Sequence, residues 1–248
     1  MKKVLLFVLA AMMVLSCVAC GTEPKEDINA KSEGVMTYAQ YNDAALESQV
    51  VIEAYVQGKQ IYNEQYGNTS IYAQDGEGAY FIYRLACSKE QYDSITIGCK
   101  IKVTGVKAEW SGEVEITDAT FEVVEGNYVA DKLDVTALLA SEDLIKHQNK
   151  AVAIKGATVA ASKNADGNDV AFLYNWDGSG QDGNDLYFNV TVDGTTYNFC
   201  VESDLCGADT DVYAAVKALK IGDKIDLEGF LYWYNGANPH ITAVTPAK

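Results

Sequence analysis

Histidine, proline and positive charge are scarce in this chain: 248 residues include two histidines, three prolines and 19 basic against 35 acidic side chains. His147 and His240 are the only histidines, and no motif joins either to a nucleophile and an acid, so a catalytic triad has no footing. Glycine loops with the lysine that cradles phosphate are absent, and no motif picks out an acid pair for glycoside hydrolysis. No CxxC or Cys/His spacing suits zinc. Without these constellations the chain is expected to bind rather than catalyse, with no catalytic residue and no cofactor to nominate. The formal charge of −16 repels phosphate backbones and anionic lipid at long range, and no basic stripe overrides it. Long apolar runs are missing too, because Val4–Leu15 is too short to span a bilayer comfortably. Scarce proline combined with 48% hydrophobic residues excludes a disordered chain. The length suits two domains of about 100 residues.

What is present begins at the N-terminus. Lys2 and Lys3 precede Val4–Leu15 with the charge and length of a signal peptide, so export is the expectation. LSCVACGT follows, with the small residue Ala19 before Cys20, and Gly21 and Thr22 opening a polar stretch. This resembles the lipobox of bacterial lipoproteins, particularly those of Gram-positive bacteria of the clostridial kind, with Cys17 standing where a leucine is usual and, after Ser16, itself the weaker of two cleavage candidates. The resemblance implies a signal peptide over residues 1–19, a diacylglycerol lipid at Cys20, and anchoring at the extracytoplasmic face of the cell membrane, where two acyl chains suffice. A plain secretory signal or an uncleaved anchor would also export the body of the protein. Cleaved before Cys20, the chain keeps 17 basic and 35 acidic side chains, a net charge of −18. Residues 20–35 offer almost nothing apolar to bury and read as a flexible tether.

Beyond the tether, one pattern is written twice. A short helix in TYAQYNDAALESQ precedes the β-branched strand VVIEAYV, and a hairpin follows at Thr69–Gln74 and Ala79–Leu85 around Asp75-Gly76-Glu77-Gly78. A short helix near Ser88–Asp93 leads to the alternating strands IGCKIKVTG and EVEITDATFEVVE. In the second half a helix capped by Ser141 precedes AVAIKGATVAA, and IGDKIDLEG matches IGCKIKVTG, Gly98 falling on Gly222 and Gly105 on Gly229. Before that match, TDVYAAVKALK sets Val212, Ala215, Val216 and Leu219 on one helical face. The extra length of the second copy is expected at about 175–201, as a long loop and a hairpin turning at Asp193-Gly194.

Strand, hairpin, helix and hairpin, done twice, resemble the OB-fold, a five-stranded Greek-key barrel. The fold class expected is therefore mainly β: two tandem OB-like barrels with short helices, after a lipoprotein signal peptide. Domain 1 covers 36–126, a linker 127–140 and domain 2 141–248. The linker's Val129, Leu133, Val135, Leu138 and Leu139 are too apolar for a free tether, so the barrels are expected to pack together.

The resemblance implies a ligand on the face of strands two and three, with the loops joining strands one to two and four to five. Aromatic residues fall there, and Trp110, Tyr232, Trp233, Tyr234, Trp176, Tyr72 and Tyr80 are the ligand-binding candidates; core packing is the competing use for alternating aromatics. Of the consecutive Tyr232, Trp233 and Tyr234, at least one must face outward in a strand. A protein or glycan of the cell envelope is the expected partner. Single-stranded nucleic acid is the alternative, and a hydrolase of unknown substrate the second; nucleic acid would need a positive groove, for which only Lys59, Lys100, Lys102 and Lys107 are at hand. Asp166, Asp169, Asp177, Asp182 and Asp185 could serve calcium, but read first as turn-forming and solubilising acids. Outside the cell Cys87–Cys99 and Cys200–Cys206 could pair, each closing a short loop, or all four could be buried thiols.

Overall fold

A computed structural model describes residues 27–247; the signal peptide, Cys20 and the first part of the tether lie outside the described residues. The first copy forms α1 (Tyr38–Asp43), β1 (Gln49–Lys59), β2 (Asn68–Gln74), β3 (Ala79–Ala86), α2 (Lys89–Ser94), β4 (Cys99–Trp110) and β5 (Glu113–Asn127). Capping boxes start both helices: Thr37 with Gln40, and Ser88 with Gln91. The strands close into a barrel in the order β1-β2-β3-β5-β4. Alternation supplies its core, because Val50, Ile52, Ile71, Ile82, Ile101, Val103 and Ile116 all project inward and are fully buried.

The second copy follows β6 (Leu133–Asp134) and comprises β7 (Ala151–Ala160), β8 (Ser162–Lys163), β9 (Asp169–Val170), β10 (Leu173–Tyr174), β11 (Leu186–Val192), β12 (Thr195–Val201), α3 (Asp211–Lys217), β13 (Lys224–Phe230) and β14 (His240–Pro246). Its barrel repeats the first order as β7-β11-β12-β14-β13, closed where β11 returns to β7. In each barrel the third and fifth strands run parallel, Phe81 opposite Glu115 and Cys200 opposite His240. The two barrels are OB-like domains in tandem.

The glycines that the two copies share within β4 and β13 stand at bulges. Register shifts between Thr104 and Val106 and between Glu228 and Gly229, bending the fourth strand around the barrel. A Cβ on Gly105 would lie 2.6 Å from Ile116 Cγ2, and one on Gly229 only 2.3 Å from the His240 carbonyl oxygen. Gly229→Ala is therefore expected to lose about 2 kcal/mol of stability by overpacking, read as a lower urea midpoint at unchanged slope.

Three expectations need correction. The hairpin expected as an insertion is β11–β12, the barrel's own second and third strands; the extra residues lie in the long connection from Ala161 to Asp185. The expected linker belongs to the second domain, since β6 pairs with β7 while Val135 and Leu139 enter its core, and Ser141 caps a 3₁₀ turn rather than an α-helix. The described end of the tether is docked on the first barrel. Lys31 Nζ lies 2.6 Å from the buried Asp75 carboxylate and donates to the Glu53 carbonyl at 2.7 Å, because an enclosed carboxylate requires a counter-charge. Of the two states left open for the cysteines, the four described ones are buried free thiols. Cys206 packs inside the second core, whereas Cys200, opposite Tyr187 on β11, points out of it; Cys99 likewise belongs to the first core and Cys87 does not.

The barrels meet through one aromatic cluster. Tyr72 and Phe81 alternate with the core residues Ile71, Ala73, Tyr80 and Ile82, so they leave β2 and β3 on the outer face and pack against Ala151 and Phe230. Tyr72 stacks on Phe230 with ring centres 4.4 Å apart and planes 6° from parallel. Around this contact Gln74 accepts from the Ala151 amide at 2.9 Å, Gln148 accepts from Val114 at 3.0 Å, and Gln60 donates to Glu202 at 2.9 Å.

Candidate binding site

The docking just described closes one barrel's outer β2–β3 face and leaves the other's open. In the second barrel Leu186, Phe188 and Val190 point inward, so Tyr187, Asn189 and Thr191 face out. Their partners on β12 are Cys200, Asn198 and Thr196. Asn198 Nδ2 donates to Asn189 Oδ1 at 2.9 Å, and the Thr191 and Thr196 hydroxyls are 3.2 Å apart. The exposed sheet is thus a ladder of amides and hydroxyls rising to Tyr187.

Two connections wall this ladder. Residues 231–239, between β13 and β14, form a tight arch turning at Asn235 and Gly236, both at positive φ, where glycine relieves the Cβ clash. Tyr234 N donates to Gly236 O at 2.8 Å and Asn238 N to Tyr232 O at 2.9 Å. Alternation along the arch sends Tyr232 and Tyr234 into the cavity, while Trp233 turns the other way to pack beside the second core and over Gly112. The other wall is the long β7–β11 connection, which offers Trp176, 75% exposed. Its turn is held by Asn175 N donating to Asp185 O at 2.9 Å and by Ser203 Oγ donating to Asp185 Oδ1 at 2.6 Å.

Together these elements enclose a cavity of about 550 Å³ lined by Trp176, Tyr187, Tyr232 and Tyr234, with Asn198, Asn238 and His240 between the rings. His240 stacks beneath Tyr232 at 4.3 Å, and its Nδ1 shares a hydrogen bond with the Tyr72 hydroxyl at 2.9 Å. Burial pushes its pKa down to about 4, so the imidazole is neutral at physiological pH. Cys200 is no nucleophile, because burial, reinforced by nearby Asp185, raises its thiol pKa far above the ordinary range. The lining is uncharged throughout.

The sequence candidates divide accordingly. Trp176, Tyr232 and Tyr234 come together in the cavity, whereas Tyr72 is enclosed between the barrels and Tyr80 in the first core, edge-on to Tyr38 and Tyr41. Trp110 stands exposed at the end of β4. Asn198 and Asn238 were not among the candidates; the alternation of TTYNFC, which sets Asn198 on the face opposite Phe199, is the signal that points to the first. His240 is buried. The calcium candidates are spread over turns: Asp182 lies 2.6 Å from Lys217, Asp169 2.8 Å from Lys163, Asp177 accepts from Ser179 N at 3.0 Å, and Asp185 caps Ser203. Asp166 N donates to Asn164 within its own turn. Among the described residues no cluster of three His, Cys, Asp or Glu side chains could hold a metal.

Nor do the four lysines of the first barrel form a groove. Lys107 donates to the carbonyls of Tyr41, Asn42 and Ala44 at 2.8–3.0 Å, closing the end of α1, and Lys59 donates to those of Tyr92 and Ile95. Lys100 sits 3.1 Å from the buried Glu53, and Lys102 3.7 Å from Glu122.

No protein family and no curated protein matches the chain. Among solved structures it is similar to a murine DNA-binding protein bound with double-stranded DNA, at 13% identity and a TM-score of 0.37 over 79% of this chain and 99% of that one. It is also similar to the tetrameric p202 HIN2, at 12% identity and 0.30 over 81% and 91%. A replication protein A heterotrimer bound to single-stranded DNA gives 12% identity and 0.30 over 81% and 52%. The assignment of two OB-like barrels rests on their own strand order and register.

Proposed function

We propose that this chain is a non-catalytic binding protein whose second barrel holds a neutral, polyhydroxylated ligand, an oligosaccharide of the cell envelope, while the first barrel braces the site. The carrying observation is the uncharged cavity, in which four aromatic side chains alternate with two asparagines and a neutral histidine. Rings of this kind cover the apolar face of a sugar, and amides reach its hydroxyls. In this reading the lipid at Cys20 presents the barrels outside the cell, close to such glycans.

Single-stranded nucleic acid is the second reading, and DNA is what two of the solved structures above hold. The exposed Trp176 and Tyr234 rings would stack on bases as well as on sugars, and OB faces serve both kinds of ligand. The cavity supplies no cation for phosphate, and the lysines of the first barrel are engaged in their own fold.

Residues 21–248 on an array of glycans and single-stranded oligonucleotides, at low and moderate salt, test both readings. Glycan binding insensitive to salt is expected, weakened about tenfold by Trp176→Ala or Tyr234→Ala, a loss of about 1.4 kcal/mol per ring. Oligonucleotide binding that falls steeply with salt would favour the second reading. An intact affinity in both variants would remove the cavity from consideration.

A further inference from the structure

We infer that the binding face continues onto the first barrel through Trp110, so that the ligand is a chain of several sugar units crossing from one barrel to the other; this rests on the oligosaccharide reading above. Trp110 is 62% exposed, an unusual placement for so large an apolar side chain. Three observations fix which way it faces. Trp110 is the cross-strand partner of Glu113, and partners share a face of the sheet. Glu113 looks toward the second barrel, because its Oε2 accepts from Trp233 N at 2.9 Å. On that same face, Glu113 and Glu115 lie close enough to the cavity residue Tyr232 to raise its hydroxyl pKa after burial has done so.

The backbone ties the two loops directly. Asn235 N donates to Ser111 O at 2.7 Å, so the neighbours Tyr234 and Trp110 flank one hydrogen bond. Successive Cα steps of about 3.8 Å, with about 5 Å across the bonded pair, place their Cα atoms within about 13 Å of each other. Trp176, Tyr234 and Trp110 thereby form exposed ring platforms on both walls of one cleft and at its outer margin. Trp110 does not line the cavity itself, so a disaccharide held by the inner platforms would not reach it. A longer chain would reach all three.

The test compares N-acetylglucosamine and glucose oligomers, as disaccharide and hexasaccharide, on residues 21–248 by titration calorimetry. The unsubstituted protein is expected to bind the hexasaccharide up to about tenfold more tightly than the disaccharide. Trp110→Ala should abolish that gain, leave the disaccharide affinity unchanged and leave the melting temperature where it was, since the side chain is exposed. Trp176→Ala should weaken both lengths. A Trp110→Ala protein that keeps the full hexasaccharide gain, while Trp176→Ala loses binding, overturns this inference and leaves the oligosaccharide reading standing. Failure of every oligomer to bind overturns both together.

Discussion

Phe230→Ala is expected to lower the unfolding free energy by about 4 kcal/mol, the range for a buried phenylalanine in a site that cannot collapse. Phe230 is 6% exposed at the end of β13. One face of its ring lies on Tyr72, and its edge lies so close to Gly58 that a Cβ there would be 2.6 Å from Phe230 Cε2. Backbone on one side and a ring already held by His240 on the other leave nothing free to fill the void. The consequence reaches the candidate cavity, because Tyr72 holds the histidine on which Tyr232 stacks. Urea unfolding followed by tryptophan fluorescence measures the loss. A change under about 1 kcal/mol would mean that the barrels do not depend on this contact.

Glu113→Gln should act in the opposite direction and only above mildly acidic pH. The Glu113 side chain is fully enclosed between the barrels, and burial raises its pKa from 4.5 to about 8; the Asn149 side chain and the Trp233 amide pull it down less strongly. Below about pH 4.5 the carboxyl is protonated both folded and unfolded, and no penalty exists. As pH rises, the unfolded chain ionises first and binds fewer protons than the folded one, so stability falls until the folded group titrates near 8. Glutamine does not titrate, and its amide can donate toward Asn149 Oδ1, which has no partner, as Glu113 Oε1 has none. The variant is therefore expected to match the parent near pH 4 and to exceed it by up to about 4 kcal/mol near pH 9. Glu115 and Glu202, both raised to about 7 by burial, add to the parent's decline in the same direction. His240, lowered to about 4, opposes them: its contribution is present above about pH 6.5 and is lost as pH falls through 4. Equal stability of parent and variant at pH 9 would place Glu113 in contact with water.

The strands were legible because their signals are local. β1, β4 and β7 start and end within a few residues of the runs VVIEAYV, IGCKIKVTG and AVAIKGATVAA, and the Asp193-Gly194 turn joins β11 to β12 at the expected place. Gly105 and Gly229 could be matched in sequence, and the structure places both at bulges, where close backbone approach demands glycine. The duplicated order then left few barrel topologies to consider. The lining of the candidate cavity was half legible. Trp176, Tyr232 and Tyr234 could be named from composition and position, but Tyr72 and Tyr80 read the same way and went elsewhere. Misreading β11–β12 as an insertion had a similar cause: a count of extra residues does not say whether they lengthen a loop or a hairpin.

By itself the sequence determined the strand pattern, the matched glycines of the fourth strands and the acidic composition, all of which can be read without knowing what packs where. Only tertiary structure decided which barrel would keep an open face. Tyr72 on β2 and Tyr187 on β11 occupy corresponding outer faces by the same alternation, and the docking of Phe230 against Tyr72 encloses the first between the barrels and leaves the second lining an open cavity. The same docking encloses Glu113 and neutralises His240. Burial, and with it the price of a charge, depends on residues more than a hundred positions away, which no local pattern records.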